Sequence, residues 1–384
     1  MLCHLDETLL HQAPLTFNQT PASDHRFFDR VWFGGHSAEN MHFVFGLAVY
    51  KNTNTMDGFF LFLKDGRQHN LRVSRPLLPD AGRTGAGPLE MEIVKPFETI
   101  RLSVAKIPEL DVAAELLFSA ATAVSLEAPH QTRVDNRLMQ DYLRFDQMGR
   151  FNGWIRVGDQ RVDVSDWYGA RDHSWGVRPG MGGYEPATSL PRAGENTSDV
   201  GNGQVGFLVV ALWFDTPSKA GYLMQTENGA GQILYSHGRI IRRAAGAHDE
   251  TTTTSITHDL QFVEGTRTST GGVITVLTAD GERIEIKVEA LIAPICYKGS
   301  GYDHGYRDER GLGVHRGTLL EADVYDISHP EKVVLPDGRV IRPWHREAGA
   351  IVYVAGEKGM AHFPCISSGP IARYALYGSI TNEK

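Results

Sequence analysis

Between residues 282 and 292 apolar and charged positions alternate strictly. Ile284, Ile286, Val288 and Ala290 fall on one side, Arg283, Glu285, Lys287 and Glu289 on the other. A period of two puts one face on a core and the other in water, which is the pattern of a half-buried β-strand. Weaker versions recur at residues 41–50, 58–64, 69–74, 99–105, 205–214, 220–226, 259–263 and 272–278. Asp57-Gly58, Asp65-Gly66, Asn228-Gly229, Asp280-Gly281 and Asp337-Gly338 punctuate them, each pair suited to the positive φ of a tight hairpin turn. Long amphipathic helices are nearly absent, and only residues 133–145 read equally as helix or strand. No strand–helix–strand rhythm is present, which argues against a parallel α/β sheet. The pattern predicts an all-β protein of antiparallel strands.

At 384 residues the chain is long for one core. Two barrels or barrel-like sandwiches in tandem are expected, residues 1–180 and 181–384. The seam is the Gly-, Pro-, Ser- and Asn-rich stretch 179–203, which carries no periodic pattern. Hydrophobic residues at 41% and charged residues at 22% exclude a disordered chain. A net charge of −8 without a basic tract disfavours nucleic acid and anionic membranes as partners. No apolar run reaches the roughly 18 residues of a membrane span, and the N-terminus has no signal-peptide pattern, so no integral membrane segment is expected. Cys3, Cys296 and Cys365 are odd in number and far apart, matching neither a disulfide framework nor a zinc-ligand spacing. A reducing, cytoplasmic setting follows as the expectation.

The densest chemical segment runs from Tyr168 to Arg178 as Tyr-Gly-Ala-Arg-Asp-His-Ser-Trp-Gly-Val-Arg. In an extended strand Arg171, His173 and Trp175 share one face, while Asp172 and Ser174 take the other. An imidazole beside an indole suits proton transfer or stabilisation of a developing cation. The same residues also fit a structural plug, with an Arg171–Asp172 ion pair and Trp175 closing a barrel end. A second candidate, Asp215, ends the apolar run 207–215, where desolvation would favour a protonated carboxyl. Asp215 equally suits the opening of the turn Asp-Thr-Pro-Ser. A third cluster holds Tyr302, Asp303, His304, His315 and Glu321, with His315 and Glu321 expected on one strand face. Its spacing fits no metal-ligand motif, and no metal is expected.

These segments resemble the carotenoid 1,2-hydratase/AttH-like superfamily of tandem lipocalin-like proteins. The likeness rests on Arg-Asp-His-Ser-Trp-Gly-Val-Arg at 171–178, Trp32-Phe33 with the strand 43–50, Met56-Asp-Gly-Phe59, and Tyr325-Asp-Ile-Ser-His-Pro330. It implies two calycin-type barrels side by side, with a ligand site in or between them. Its members include hydratases of prenyl double bonds, and related folds act as Diels–Alderases and cyclases, none using a metal or redox cofactor. The hydratases' H-x-W pair corresponds to His173-Ser-Trp175. Their aromatic-x-Asp motif corresponds to Trp213-Phe-Asp215, with Trp in place of Tyr and a longer separation. The resemblance therefore implies a cofactor-independent lyase or isomerase, of hydratase or cyclase type, acting on an apolar terpenoid-like or polycyclic small molecule in a barrel cavity. Asp215 would donate the proton, with Asp172 the alternative acid, His173 would orient it or activate water, and Trp175 and Trp213 would stabilise positive charge. Tyr168, Arg171, Arg178, Tyr302, His315 and Glu321 are further candidates for contact with substrate. A Diels–Alderase-type enzyme and a non-catalytic carrier of lipid or hydrophobic metabolites use the same kind of pocket.

Overall fold

The computed structural model describes residue 2 and residues 4–109, 111–134, 136–183, 206–244 and 247–377. Strands make up 61% of the structure and helix 4%, and the sheets are antiparallel. The first twelve strands build one sheet. They are β1 (Phe27–His36), β2 (His42–Tyr50), β3 (Thr55–Lys64), β4 (Arg67–Pro76), β5 (Gly85–Ala86), β6 (Leu89–Lys95), β7 (Thr99–Val104), β8 (Val112–Ala120), β9 (Ser125–Leu126), β10 (His130–Val134), β11 (Arg137–Val157) and β12 (Gln160–Val177). The sheet wraps around a phenylalanine-rich core that includes Phe33, Phe43, Phe45, Phe60, Phe62, Phe118 and Phe151.

The next strands are β13 (Phe207–Asp215), β14 (Lys219–Asn228), β15 (Ile233–Ala244), β16 (Ala247–Phe262), β17 (Ser269–Thr278) and β18 (Arg283–Ala290). After them come the short β19 (Ile295–Cys296), β20 (Leu319–Asp326), β21 (Val333–Val334) and β22 (Val340–Ile341), then β23 (Arg346–Val354) and β24 (Glu357–Ser368). Strands β13–β18 with β24 and β23 form a barrel, closed by the pairing of β18 with β23. Its interior is aliphatic, with Leu212, Ile240, Ile274, Val276, Ile286 and Val352 all buried. Burying such side chains is worth about 1.5–3 kcal/mol each, so both interiors are given over to packing.

Strand β20 leaves the barrel and pairs with β4, so residues 319–341 extend the first sheet. The junction is polar. Arg72 of β4 ion-pairs with Glu321 and Asp323 (3.3 and 2.5 Å), and Gln68 bonds both the amide and the carbonyl of Cys296. A third apolar cluster, including Trp32, Phe59, Tyr168, Trp213, Tyr222 and Tyr297, cements the outer face of the first sheet to the barrel.

The alternating patterns became strands, with three departures in detail. Asp57-Gly58 lies inside β3 rather than at a turn. A Cβ on Gly58 would meet Leu47 Cδ2 at 2.5 Å, so this glycine serves close strand approach. Residues 133–145 form the β10–β11 hairpin, turned at Asn136 with φ 64°. His315 precedes β20 in a loop and shares no strand face with Glu321. Of the seam 179–203, residues 184–203 lie outside the described residues. No helix among the described residues is long and apolar enough to cross a membrane.

Candidate functional site

Cross-strand register assembles one wall of a cavity. Arg30 of β1 sits opposite Ser174 of β12, which sits opposite Arg144 of β11; in the next row Trp32, Asp172 and Asp146 line up the same way. Directly opposed residues point to the same face of a sheet, so these six project outward from the first core toward the barrel. The barrel answers with the row Tyr222, Trp213, His362 and Gly349. Tyr297 and Tyr302 enter from the connection between β19 and β20, and His345 and Glu347 from the start of β23. The cavity between them measures about 180 Å³ and is lined by Arg30, Trp32, Arg144, Asp172, Ser174, Arg178, Trp213, Tyr297, Tyr302, His345, Glu347 and His362. None of these is aliphatic: this cavity is polar and lies between the halves rather than inside a barrel. The aliphatic side chains at the junction pack in the third cluster beside the cavity, and the polar rows line the cavity itself.

At the barrel side Glu347 accepts hydrogen bonds from His345 Nε2 at 2.9 Å and His362 Nε2 at 2.7 Å. Burial pushes its carboxyl upward, but the two imidazoles outweigh that and hold it well below the ordinary carboxylate range. A carboxylate can only accept, so both Nε2 atoms carry the proton and the basic lone pair of each ring is at Nδ1. His345 stacks on Tyr297 with centroids 4.5 Å apart, and His362 lies against Trp32 at 4.8 Å. Behind them are two further buried imidazoles. Burial, with the nearby His362, takes His42 well below its usual pKa, and burial takes His36 to about 4. The missing side chain at Gly349 makes room for the His36 ring, 2.8 Å from where a Cβ would stand.

On the opposite wall Asp172 behaves in the reverse sense. Burial raises its pKa; Arg144, Arg30 and Arg178 pull it back only in part, and Glu127 adds to the rise. No described residue hydrogen-bonds its carboxyl. Beneath it Glu127 grips Arg144 (2.6 Å to Nε) and His130. Asp146, raised by burial and by Glu127, accepts the Trp213 Nε1 proton at 2.9 Å. At the remaining corner the Tyr302 hydroxyl receives Arg30 and, at 2.8 Å, Arg178. Burial would raise this phenol, but the two guanidinium groups lower it overall.

Of the residues singled out in the sequence, Asp172, Ser174, Arg178, Trp213 and Tyr302 line the cavity. His173 and Trp175 lie on the other face of β12 against Phe145, with His173 Nε2 2.7 Å from Asp29. Arg171 shares that face, gives Nε to Gln147 at 2.8 Å and stacks over Phe145, while burial lowers it to about 10. Asp215 is buried between Arg150, at 2.7 Å, and Arg243. Tyr168 donates its hydroxyl to the Trp213 carbonyl, Glu321 is bound to Arg72, and His315 contacts Thr55 at 3.2 Å. The sequence reading missed Arg30, Arg144, Tyr297, His345, Glu347 and His362. Arg30 between Phe28 and Trp32 on one strand face was a usable signal; nothing local marked the others. Among the described residues no three His, Cys, Asp or Glu side chains group as metal ligands.

Fold and site define a tandem lipocalin-like protein with its cavity between the halves. A crystal structure of an AttH-like protein from Nitrosomonas europaea matches with TM-score 0.50 at 10% identity, over 88% of this chain and 92% of the other. Kievitone hydratase from Nectria haematococca aligns with TM-score 0.45 at 8% identity, over 88% and 89%. At such identities the first likeness is one of fold. Residues 2–333 match the family of unknown function DUF8625, and the chain belongs to that family. No curated protein matches it in sequence.

Proposed function

We propose that the cavity between the halves carries out acid–base chemistry of the hydratase or isomerase type at a carbon–carbon double bond. One observation carries the reading: two carboxyl groups line one cavity, and their surroundings push their pKa values apart. Such a pair divides the roles of proton donor and charged partner. Asp172, its carboxyl raised by burial and bonded by no described residue, gives its proton to carbon. His345, with Nε2 tied to ionised Glu347, takes a proton from water at Nδ1 as the water oxygen bonds to the neighbouring carbon. Return of that proton to Asp172 through solvent closes the cycle, with net addition of one water. The reverse sequence is dehydration, and loss of a proton from the carbocation without water attack is isomerisation. Trp32 and Trp213 present π faces to the positive charge that develops. Asp215 takes no part in this scheme, being held by two arginines outside the cavity.

The test is deuterium uptake. Purified protein is incubated in D2O with a solvent extract of the producing cells, and solutes are followed by mass spectrometry. At least one solute is expected to gain deuterium at a non-exchangeable carbon, dependent on the protein. Solutes retained by the protein with no carbon-bound deuterium would make it a carrier and overturn the reading.

A further inference from the structure

Arg30, buried, and Arg178, half-buried, are two cations that face the cavity without an anionic partner among the described residues. Arg30 is 5% exposed, and its protein hydrogen bonds among the described residues reduce to one, to the Tyr302 hydroxyl. Arg178 gives Nη2 to the same hydroxyl at 2.8 Å and to Met181 Sδ at 3.9 Å, while its Nε is buried without a partner. Neither forms an ion pair with a described carboxylate. Arg72 is held by Glu321 and Asp323, and Arg144 by Glu127; Arg171 and Arg346 also lack a carboxylate, but they lie outside the cavity, bonded to Gln147 and to backbone carbonyls. A guanidinium removed from water without an anionic partner is costly, and that cost is offset when an anion arrives. Aromatic faces are no substitute, although Arg30 lies over Phe59 at 5.4 Å and Arg178 over Phe28 at 5.0 Å. The nearest acid, Asp172, acts on both only at a distance.

We infer that the substrate carries a carboxylate, and that Arg30 and Arg178 bind it at the Tyr302 corner of the cavity. The inference rests on the acid–base reading for the fate of the substrate but not for its binding. The planar fork of a guanidinium matches a carboxylate with two parallel bonds, and two forks converging on one phenol oxygen leave several donors without acceptors. Tyr302 is then a place-holder: its oxygen occupies part of the space of the incoming oxyanion. A volume of about 180 Å³ is below the roughly 300 Å³ at which drug-sized ligands begin. A compact acid fits, with its double bond between Asp172 and His345.

The experiment measures binding by quenching of tryptophan fluorescence, since Trp32 and Trp213 line the cavity. The probes are acetate, butyrate, trans-crotonate, benzoate and trans-cinnamate, each beside its neutral amide, with inorganic phosphate as a separate arm. At least one carboxylate is expected to bind tenfold or more tightly than its amide. Arg178→Gln should weaken it by roughly ten- to a hundredfold, the loss typical of a charge-assisted hydrogen bond. Arg30→Lys, which keeps the charge and guards against a folding failure, should weaken it less. Tyr302→Phe should tighten it severalfold by freeing both guanidinium groups, a gain that a structural role would not produce. Equal binding of every acid and amide, or affinity for phosphate alone, would overturn the inference. Asp172→Asn keeps carboxylate binding if the inference holds, so loss of deuterium uptake in that variant leaves the two claims separable.

Discussion

Asp172→Asn should lower the rate of deuterium incorporation by about 10²- to 10⁴-fold, the usual cost of losing a general acid. Asparagine keeps the shape and can still face Arg30 and Arg178, so carboxylate binding should change only a fewfold. The pH profile makes a second mark. Asp172 acts as the protonated form and its pKa is raised, so the wild-type rate should fall as pH climbs through that raised value, and the residual rate of the variant should not. Asp215→Asn is the contrast. Asp215 is buried between Arg150 and Arg243, and removing its charge leaves two guanidinium groups without their anion. Both arginines reach solvent, so the loss is up to about 3 kcal/mol of stability, below that of a fully buried pair, with turnover per folded molecule within a few-fold of wild type. Urea unfolding and active-site-normalised rates separate the two. Stable Asp215→Asn protein with abolished turnover, beside an active Asp172→Asn, would reverse the assignment.

His36→Gln should change how stability depends on acid. The His36 imidazole is held at about 4 by burial, against an ordinary value of 6.5. Below pH 6.5 the unfolded chain binds a proton that the folded chain refuses. Stability from this group is therefore complete above pH 6.5 and is lost progressively as pH falls toward 4. The full swing is about 3 kcal/mol. Asp57, raised to about 6 by burial, works in the opposite direction because folding adds a proton to it, so the wild-type curve alone does not isolate the histidine. The difference between variant and wild type does. It should move in favour of His36→Gln by about 3 kcal/mol between pH 7.5 and pH 4 in urea titrations. A constant difference across that range would show that His36 is protonated in the folded protein.

The strand content was legible because period-two alternation survives wherever one face is wet, as at Arg283–Ala290. The division of faces around His173 was legible for the same reason: Asp172 and Ser174 do point away from Arg171, His173 and Trp175. Which face would meet the site was not. Both faces of β12 are covered, one by the first core and one by the barrel, so side-chain chemistry alone could not choose between them. His345, Glu347 and His362 line the same cavity as Asp172 from about 170–190 residues further along the chain, and that juxtaposition depends on how two sheets dock. Local sequence carries no record of that. Arg30 announced itself more openly, as a charge between two aromatic residues on an otherwise buried strand.

The excursion of β20 to β4 also bears on how the protein is made. Translation at roughly 5–20 residues per second delivers β20 about 7–30 s after β12 has left the ribosome. Throughout that wait β4 is an unpaired edge, the kind of surface on which nascent chains stick to one another. Its residues there are Gln68, Asn70, Arg72 and Ser74, all buried in the finished molecule yet all hydrophilic. They give water something to bind until Glu321 and Asp323 arrive, and Tyr297 and Tyr302 come with that same late segment. The cavity between the halves thus forms only after that segment is made, and a polypeptide stalled before residue 319 would keep Arg30 and Arg178 and lack the seam that closes over them.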